Sequence, residues 1–494
     1  MFKKVLIANR GEVAVRIIRT CREMGLETVA LYDSSDLDSL HVRLADECVL
    51  VESPAGLRDP QLILSIAAAK GADAIHPGYG FLAEEPTFIA ACEAANVTFI
   101  GPPAGVVTQL VNKIDTLNKA RAAGFPTVTY SPHFFAPDQL AELEAQAEQM
   151  GYPLVIKSCA GGRGRGERLV FGSGRLAESV RRAQAEAQAI YGSRALYLEK
   201  AILPAHQVGV QILADRYGHI IHLGEREGSV QYSNRKVIEE SPAPCLNQSQ
   251  RQALWEAALA LARLFHCQNA CTVEFLINGN GQFYFSEIKP RLQVEHPLTE
   301  MVTRIDLVQA QIELAAGRPL TLNQTDVRPE GWAILCRINA EDPWHHFLPA
   351  PGTLHQVRFP AGAEIRLDSC AYSHYTLSPA YDSLLAKLTV WGRDRQQSLA
   401  RMRCALEDVK LVGVPTNLPY LQQIIHTPTF VQGQYDTQFL SQSFSQGQAE
   451  PESYYQELAV AAAILYARRN QSFHPTLPER LQSNWHRHNR RLSR

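Results

Sequence analysis

The chain has 494 residues, of which 46% are hydrophobic and 20% charged. That balance excludes disorder, collagen-like and rod-like forms and implies about two to four packed modules. Forty-eight Lys and Arg against 50 Asp and Glu leave a net charge of -2, so there is no global field for gripping nucleic acid or an anionic membrane, and any polyanion must be met locally. No apolar run approaches the roughly 20 residues that cross a bilayer, and MFKKVLIANRGE holds too short an apolar stretch for a signal peptide. The ten cysteines, scattered from Cys21 to Cys404, form no framework. Only Cys267 and Cys271 are close, and with His266 they make at most half a zinc site. Free thiols and a cytoplasmic location are expected.

In chain order, the first hundred residues alternate short apolar runs (KKVLIA, ETVALY, ADAIHP, TFIG) with amphipathic segments (VAVRIIRTCREMG, QLILSIAAAKG, FIAACEAANV). This βαβ rhythm predicts an open parallel sheet whose ligand crevice lies beyond the carboxyl ends of its strands. The loops at 9–12 and 76–80 are therefore the first places to look for chemistry.

After Gly and Pro punctuation over 124–132, a helix is expected over 137–150, followed by a strand (PLVIK) and the run 159–166, rich in glycine. A second strand (ERLVF), a helix (LAESVRRAQAEAQAI) and a third strand (ALYLEK) complete the segment. Glycines let backbone N–H groups approach phosphate oxygens, and such a loop can also move as a lid. Taken alone, a glycine-rich hairpin is more often an ordinary turn. No Lys-Ser/Thr follows it, so it is not a Walker loop.

Further on, VQILADRYGHIIHLGERE predicts a hairpin centred on 215–218, then a helix runs over 247–266 and two strands flank an Asn-Gly turn in TVEFLINGNGQFYFSEIK. After about residue 335 the texture changes to short strands with many Gly and Pro and a helix over 396–407, read as a separate C-terminal module. An apolar helix over 458–466 and a tail rich in Arg and His close the chain. The tail reads as a solvated terminus rather than a nucleic-acid arm.

Glu274 and Glu287 sit on the two strands of that second hairpin within apolar runs. Carboxylates are rarely buried alone, and two facing one pocket suit a hard divalent cation that takes its other ligands from phosphates; otherwise both are solvent-facing strand residues. Arg291, Gln293 and Glu295 alternate along one side of the extended segment that follows. Together they offer a planar fork donor, an amide and a carboxylate, able to hold a small anion of carbonate type and to remove a proton from it.

The strings IANRGEVAVRIIR, AIHPGYGFLAE, the glycine loop, EFL, RLQVEHPLTEM, CRINAEDP, FLPAPG and YDSLLAKL, in this order over residues 1 to about 440, resemble the biotin carboxylase family of the ATP-grasp superfamily. The resemblance implies an α/β (α+β) fold: an N-terminal parallel-sheet domain over 1–112, an ATP-grasp domain over 113–330 with a mobile glycine-rich lid at about 130–203, and a β-rich C-terminal domain over 331–445, leaving a helical and basic tail over 446–494. It places ATP at Lys113, Lys157, Gly161, Gly162, Gly164, Gly166, Glu199, Lys200, Ile202, Gln231 and Leu276, with Mg2+ or Mn2+ at Glu274 and Glu287. Bicarbonate falls to Arg291, Gln293 and Val294, and Glu295 is the base that deprotonates it. Lys236 belongs to the same catalytic group, and Arg337 stabilises the developing enolate oxygen of biotin. Bicarbonate would attack the γ-phosphate to give carboxyphosphate, which releases CO2 for the ureido nitrogen of biotin. The five methionines form no Met-Lys-Met string, so biotin is expected on a separate carrier protein. A carboxyltransferase subunit and homodimerisation are implied too, with no nucleic acid or membrane as partner.

Several positions depart from the family pattern. Lys289 replaces an Asn beside the metal, and an ammonium group, having donors only, would repel an ion there or occupy its place. Arg163 and Glu167 interrupt the lid. Gln207 replaces a His and Gly209 a Glu, while Tyr232, Ser233 and Asn234 replace Arg, Arg and His. Two alternatives stand beside an active biotin carboxylase: a pseudoenzyme that binds partners without turnover, and another ATP-grasp ligase joining a carboxylate to an amine, against which the intact RLQVE and Arg337 speak.

Overall fold

The computed structural model describes residues 1–52, 54–80, 82–158, 168–443 and 458–465. The glycine loop, with Gly161, Gly162, Arg163, Gly164, Gly166 and Glu167, lies outside the described residues.

The βαβ rhythm becomes a five-stranded parallel sheet of β1 (Lys4–Ile7), β2 (Glu27–Tyr32), β3 (Glu47–Leu50), β4 (Ala74–His76) and β5 (Thr98–Phe99), ordered β3-β2-β1-β4-β5. β3 is the strand the sequence pattern does not announce. Its run ECVL is an edge with alternating half-buried and exposed positions, too short and polar to stand out from the loops around it. The helix Gly11–Glu23 returns over the sheet because Val13, Ile17, Ile18 and Cys21 recur at helical spacing and are all buried. Gly11 opens it at a φ of 65°, a left-handed turn that glycine adopts without steric cost.

Three antiparallel strands, β6 (Leu154–Ser158), β7 (Arg168–Val170) and β8 (Leu196–Lys200), make a small sheet in the order β7-β6-β8. The helices Leu140–Met150 and Leu176–Tyr191 cover it through Leu143, Ala147, Val180 and Ala183. This unit of three strands and two helices has a hydrophobic core of its own.

The largest element is an eight-stranded antiparallel sheet. It comprises β9 (Ala205–Ala214), β10 (Ile220–Tyr232), β11 (Arg235–Ser241), β12 (Asn269–Asn278), β13 (Phe283–Lys289) and β14 (Trp332–Asn339), continued by the strands Leu384–Gly392 and Ile365–Ser369. Its order, β13-β12-β9-β10-β11-β14 and then those two strands, carries one sheet straight across residue 331. Period-2 alternation sorts its faces. Val208, Val210 and Ile212 on β9, with Val273, Phe275 and Ile277 on β12, pack under the helix Gln248–Leu264 against Leu254, Ala258 and Leu261. That helix is fixed at its start by a capping box between Asn247 and Gln250. Gln207, Gly209, Gln211, Thr272, Glu274 and Leu276 therefore belong to the opposite face, where the functional groups collect.

Residues 1–443 form one compact unit, and 444–494 a second, of which the helix at 458–465 is described. Among the described residues no helix is long and apolar enough to cross a membrane.

Candidate functional site

A large cavity of about 1040 Å³ opens on the polar face of the central sheet. The expected residues among those described, Lys157, Glu199, Lys200, Ile202, Gln231, Lys236, Glu274, Leu276, Glu287, Arg291, Gln293, Val294, Glu295 and Arg337, all line it. Lys113 reaches its edge, with Nζ 2.6 Å from Glu287 Oε2.

The carboxylate of Glu295 is clamped between two cations. Lys236 Nζ donates to Oε1 at 2.6 Å and Arg337 Nη2 to Oε2 at 3.1 Å. Burial alone would raise the pKa of Glu295, but Lys236, Arg337 and Arg226 outweigh it and hold the group well below the usual carboxylate range. Arg337 is itself fixed by a bidentate pair to the buried Glu239, both N···O distances being 2.8 Å. Sequence reasoning missed Glu239; its trace in the sequence is an acidic pair, Glu239 and Glu240, directly after Val237 and Ile238 in β11. Glu295 stands at the head of the helix His296–Thr303, so its placement follows from where that helix starts.

Gln293 bridges the two halves of the site. Its Nε2 donates to Glu274 Oε1 at 2.8 Å, and its Oε1 accepts from Arg226 Nη2 at 3.0 Å. Arg226 is buried, among the described residues it has neutral hydrogen-bond partners only (Gln211, Thr272, Thr299 and Gln293), and burial lowers its pKa. It too escaped the sequence reading, because a charged residue in mid-strand reads as solvent-facing. Arg291 Nε lies 3.4 Å from Glu84 and, though buried, has no hydrogen-bond acceptor, which leaves a donor for an anion. The expected order along 291–295, cation, amide, carboxylate, is realised in one pocket.

Glu274 and Glu287 are cross-strand partners. Alternation alone would put Glu287 on the core side with Phe285, two residues earlier. A register shift resolves this: Phe285 pairs with Phe275, Glu287 pairs with Glu274, and Ser286 is the extra residue. Such a β-bulge re-aims every side chain beyond it. Glu287 and Lys289 then face the cavity while Ile288 joins the core.

The two carboxylates are not equivalent. Glu274 Oε2 is buried and has no hydrogen-bond partner, a donor suited to a hard cation. Glu287 Oε2 is met by two ammonium groups, Lys113 at 2.6 Å and Lys289 at 2.8 Å. Burial would raise the pKa of Glu287, but these lysines hold it far below the ordinary range. The pair therefore fits a divalent ion through Glu274, with Glu287 largely neutralised by the protein.

At the end of the cavity where the nucleotide is expected, Lys157 Nζ pairs with Glu199 Oε2 at 3.0 Å, while Tyr197 donates to Glu199 Oε1 at 2.8 Å. The Lys200 ammonium is turned to the carbonyls of Gly151 and Tyr152 at 3.0 and 2.9 Å. Ile202 and Leu276 supply apolar lining.

Two departures from the family pattern have local explanations. Ser233 and Asn234 form the two-residue turn between Tyr232 and Arg235, with φ of 46° and 60°; that turn needs positive φ at both positions, and Asn tolerates it well. A Cβ at Gly209 would lie 3.0 Å from Glu274 Oε1 and 2.9 Å from Thr272 Cγ2, so glycine leaves Glu274 its place.

The loops at 9–12 and 76–80 line the same cavity and also tie the first sheet to the far end of the central one. Arg10 forks onto Asp36 and stacks over Tyr381, Glu12 pairs with the fully buried Lys387 at 2.9 Å, and Asn9 donates to the carbonyls of Pro77 and Tyr79. Cys267 and Cys271 are buried free thiols. The one His/Cys/carboxylate triple within ligand range among the described residues is instead His206, Glu227 and Cys245. Its Glu227 Oε1 accepts hydrogen bonds from Ser229 at 2.8 Å and pairs with His206 at 2.6 Å.

Three family models match the chain: the biotin carboxylase N-terminal domain over residues 1–107, the ATP-binding domain of the carbamoyl-phosphate synthase L chain over 112–323, and the biotin carboxylase C-terminal domain over 335–442. Biotin carboxylase 1 of Bacillus subtilis is 44% identical over 445 residues, 89% of this chain and 98% of that protein. The propionyl-CoA carboxylase alpha chain of Ruegeria pomeroyi is 38% identical over 94% of this chain and 72% of its own. Among solved structures, the biotin carboxylase domain dimer of the Hydrogenobacter thermophilus 2-oxoglutarate carboxylase, in complex with MgADP, ADP and bicarbonate, matches with a TM-score of 0.88 at 40% identity. The match covers 91% of this chain and 100% of that one.

Proposed function

The chain belongs to the biotin carboxylase family, and from that premise we propose that it is an ATP-dependent ligase that carboxylates biotin on a separate carrier protein, using bicarbonate. The observation that carries this reading is Glu295, a carboxylate held ionised between Lys236 and Arg337, next to Arg291 and Gln293 in one cavity.

The reaction asks three things of these residues. Arg291 fixes bicarbonate by charge and hydrogen bonds, and Glu295, adjacent and ionised, takes its proton as the bicarbonate oxygen forms a bond to the γ-phosphorus and ADP leaves. Glu274 would hold a divalent ion, which would supply charge neutralisation at the phosphates. Lys236, Lys157 and Lys113 add fixed positive charge around the transferring group. Carboxyphosphate then breaks to CO2 and phosphate, phosphate takes the ureido N–H proton of biotin, and the freed nitrogen forms its bond to CO2. Arg337, oriented by Glu239 and always charged, stabilises the enolate oxygen as it develops.

The expected residues keep these roles in the proposal: Val294 and Gln293 shape the bicarbonate pocket, Leu276 and Ile202 face the base, and Glu199, Lys200 and Gln231 belong to the nucleotide site. The carrier protein and a carboxyltransferase are the proposed partners, and a homodimer the proposed assembly, as the likeness to a carboxylase alpha chain and to a biotin carboxylase domain dimer supports. Mixing the protein with MgATP, bicarbonate and free biotin tests the reading: ADP release that needs bicarbonate and rises with biotin is expected. ADP binding without any release, with Mg2+ or Mn2+, would instead identify a binding subunit without turnover.

A further inference from the structure

Lys289 lines the cavity beside the carboxylate pair, and the proposed reaction does not use its chemistry. It is a buried ammonium, 6% exposed, on the second strand of the carboxylate hairpin, and the bulge at Ser286 aims it into the site. Its Nζ lies 2.8 Å from Glu287 Oε2, the oxygen that Lys113 also holds at 2.6 Å. A carboxylate oxygen carrying two ammonium contacts has little lone-pair density left for a metal ion, and a dication brought to it would meet two like charges at contact distance. Glu274 shows the opposite condition. Its Oε2 is buried without a hydrogen-bond partner, its nearest ammonium, Lys236, is 3.7 Å from the other oxygen, and Gly209 opposite it on β9 brings no side chain and no charge.

We propose that Lys289 is a built-in counter-cation: its ammonium takes, beside Glu287, the place of a divalent cation, so that a nucleoside di- or triphosphate is held here with a single divalent ion, attached through Glu274. This deepens the nucleotide-site reading and rests on it. Gly209 and Lys289, both noted in the sequence as departures, act in the same sense. Gly209 brings no charge beside Glu274 and Lys289 brings a positive one beside Glu287, so both lessen the need for a second divalent ion.

The test is a count of bound ions. Mn2+ is titrated into the full chain with saturating ADP, and free Mn2+ is followed by electron paramagnetic resonance, while calorimetry follows ADP binding with and without the metal. The wild-type protein is expected to bind one Mn2+ per bound ADP, and K289N, which exchanges a cation for an oxygen donor, is expected to bind two. K289M, with neither charge nor donor, is expected to keep one Mn2+ but to bind ADP at least tenfold more weakly. Two Mn2+ in the wild type, or one in both wild type and K289N with both variants folded by thermal melting, overturns the proposal. Should K289N not fold, the wild-type count and K289M decide: a second ion, or undiminished ADP affinity in K289M, overturns it. Failure of ADP to bind under any condition overturns the nucleotide-site reading itself and is distinguished from the other outcomes by the calorimetry.

Discussion

Glu295 is the residue on which the proposed chemistry turns, and its surroundings dictate how it responds to change. Two cations hold it ionised, so it needs no pH adjustment to act as a base. Glu295→Gln keeps the size and loses the base; bicarbonate-dependent ADP release should fall by at least about 10²-fold with ADP affinity unchanged in calorimetry. Unchanged release would remove Glu295 from the mechanism. Arg337 separates the two halves of the reaction. In Arg337→Met, ADP release should lose its stimulation by biotin but keep its dependence on bicarbonate. The buried Glu239, left without its bidentate partner, should cost about 3–5 kcal/mol in denaturant unfolding. At this scale the sequence was informative where residue type and chemistry coincide, as at Glu274, Arg291 and Glu295. It was silent on Glu239 and Arg226, whose roles come from burial that alternation in one strand does not reveal.

The elements explain why these side chains meet. β12 keeps strict alternation, so Val273 and Phe275 feed the core and Glu274 feeds the cavity. β13 keeps it only up to Phe285, and the bulge at Ser286 re-aims Glu287 and Lys289. The hairpin itself was legible from its Asn-Gly turn and apolar runs. The bulge was not, because an inserted residue leaves the composition of a strand unchanged and shows only in its pairing. β3 was missed for a related reason, its exposure at a sheet edge. The helix Gln248–Leu264 supports the far side of the sheet with the fully buried Leu261. Leu261→Ala should cost about 2–5 kcal/mol in urea unfolding while Mn2+ and ADP stoichiometry stay as in the wild type; loss below 1 kcal/mol would show that this helix is not the support described.

Across the whole unit of residues 1–443, the strands β11 and β14 hydrogen-bond across residue 331, so backbone pairing brings Lys236, Glu239 and Arg337 together. The change of texture near residue 335 coincides with the start of the match to the biotin carboxylase C-terminal domain over 335–442, whose strands Leu384–Gly392 and Ile365–Ser369 continue the central sheet. Long-range pairing of this kind has no local signature. Two buried histidines, His41 on the short helix Leu40–Leu44 beside β2 and His76 at the end of β4, weaken the molecule in acid. Burial holds His41 at about 4 and His76 at about 3, against an ordinary 6.5. The unfolded chain therefore binds protons that the folded one refuses. Stability from each, on the order of 3 kcal/mol, is fully present above pH 6.5 and is lost as pH falls from there towards 4 and 3. Melting temperatures should accordingly drop steeply between pH 7 and 4, and a flat profile over that range would contradict the neutral, buried state of both rings.

The central claim is that this cavity moves the carbon of bicarbonate onto biotin. Incubating the protein with ATP, a divalent cation, 14C-bicarbonate and free biotin, then trapping acid-labile carboxybiotin, tests it most directly. Label on biotin that requires ATP and disappears in Glu295→Gln is the predicted result. ATP cleavage with no label on biotin, or label equal in the Gln variant, would contradict the account.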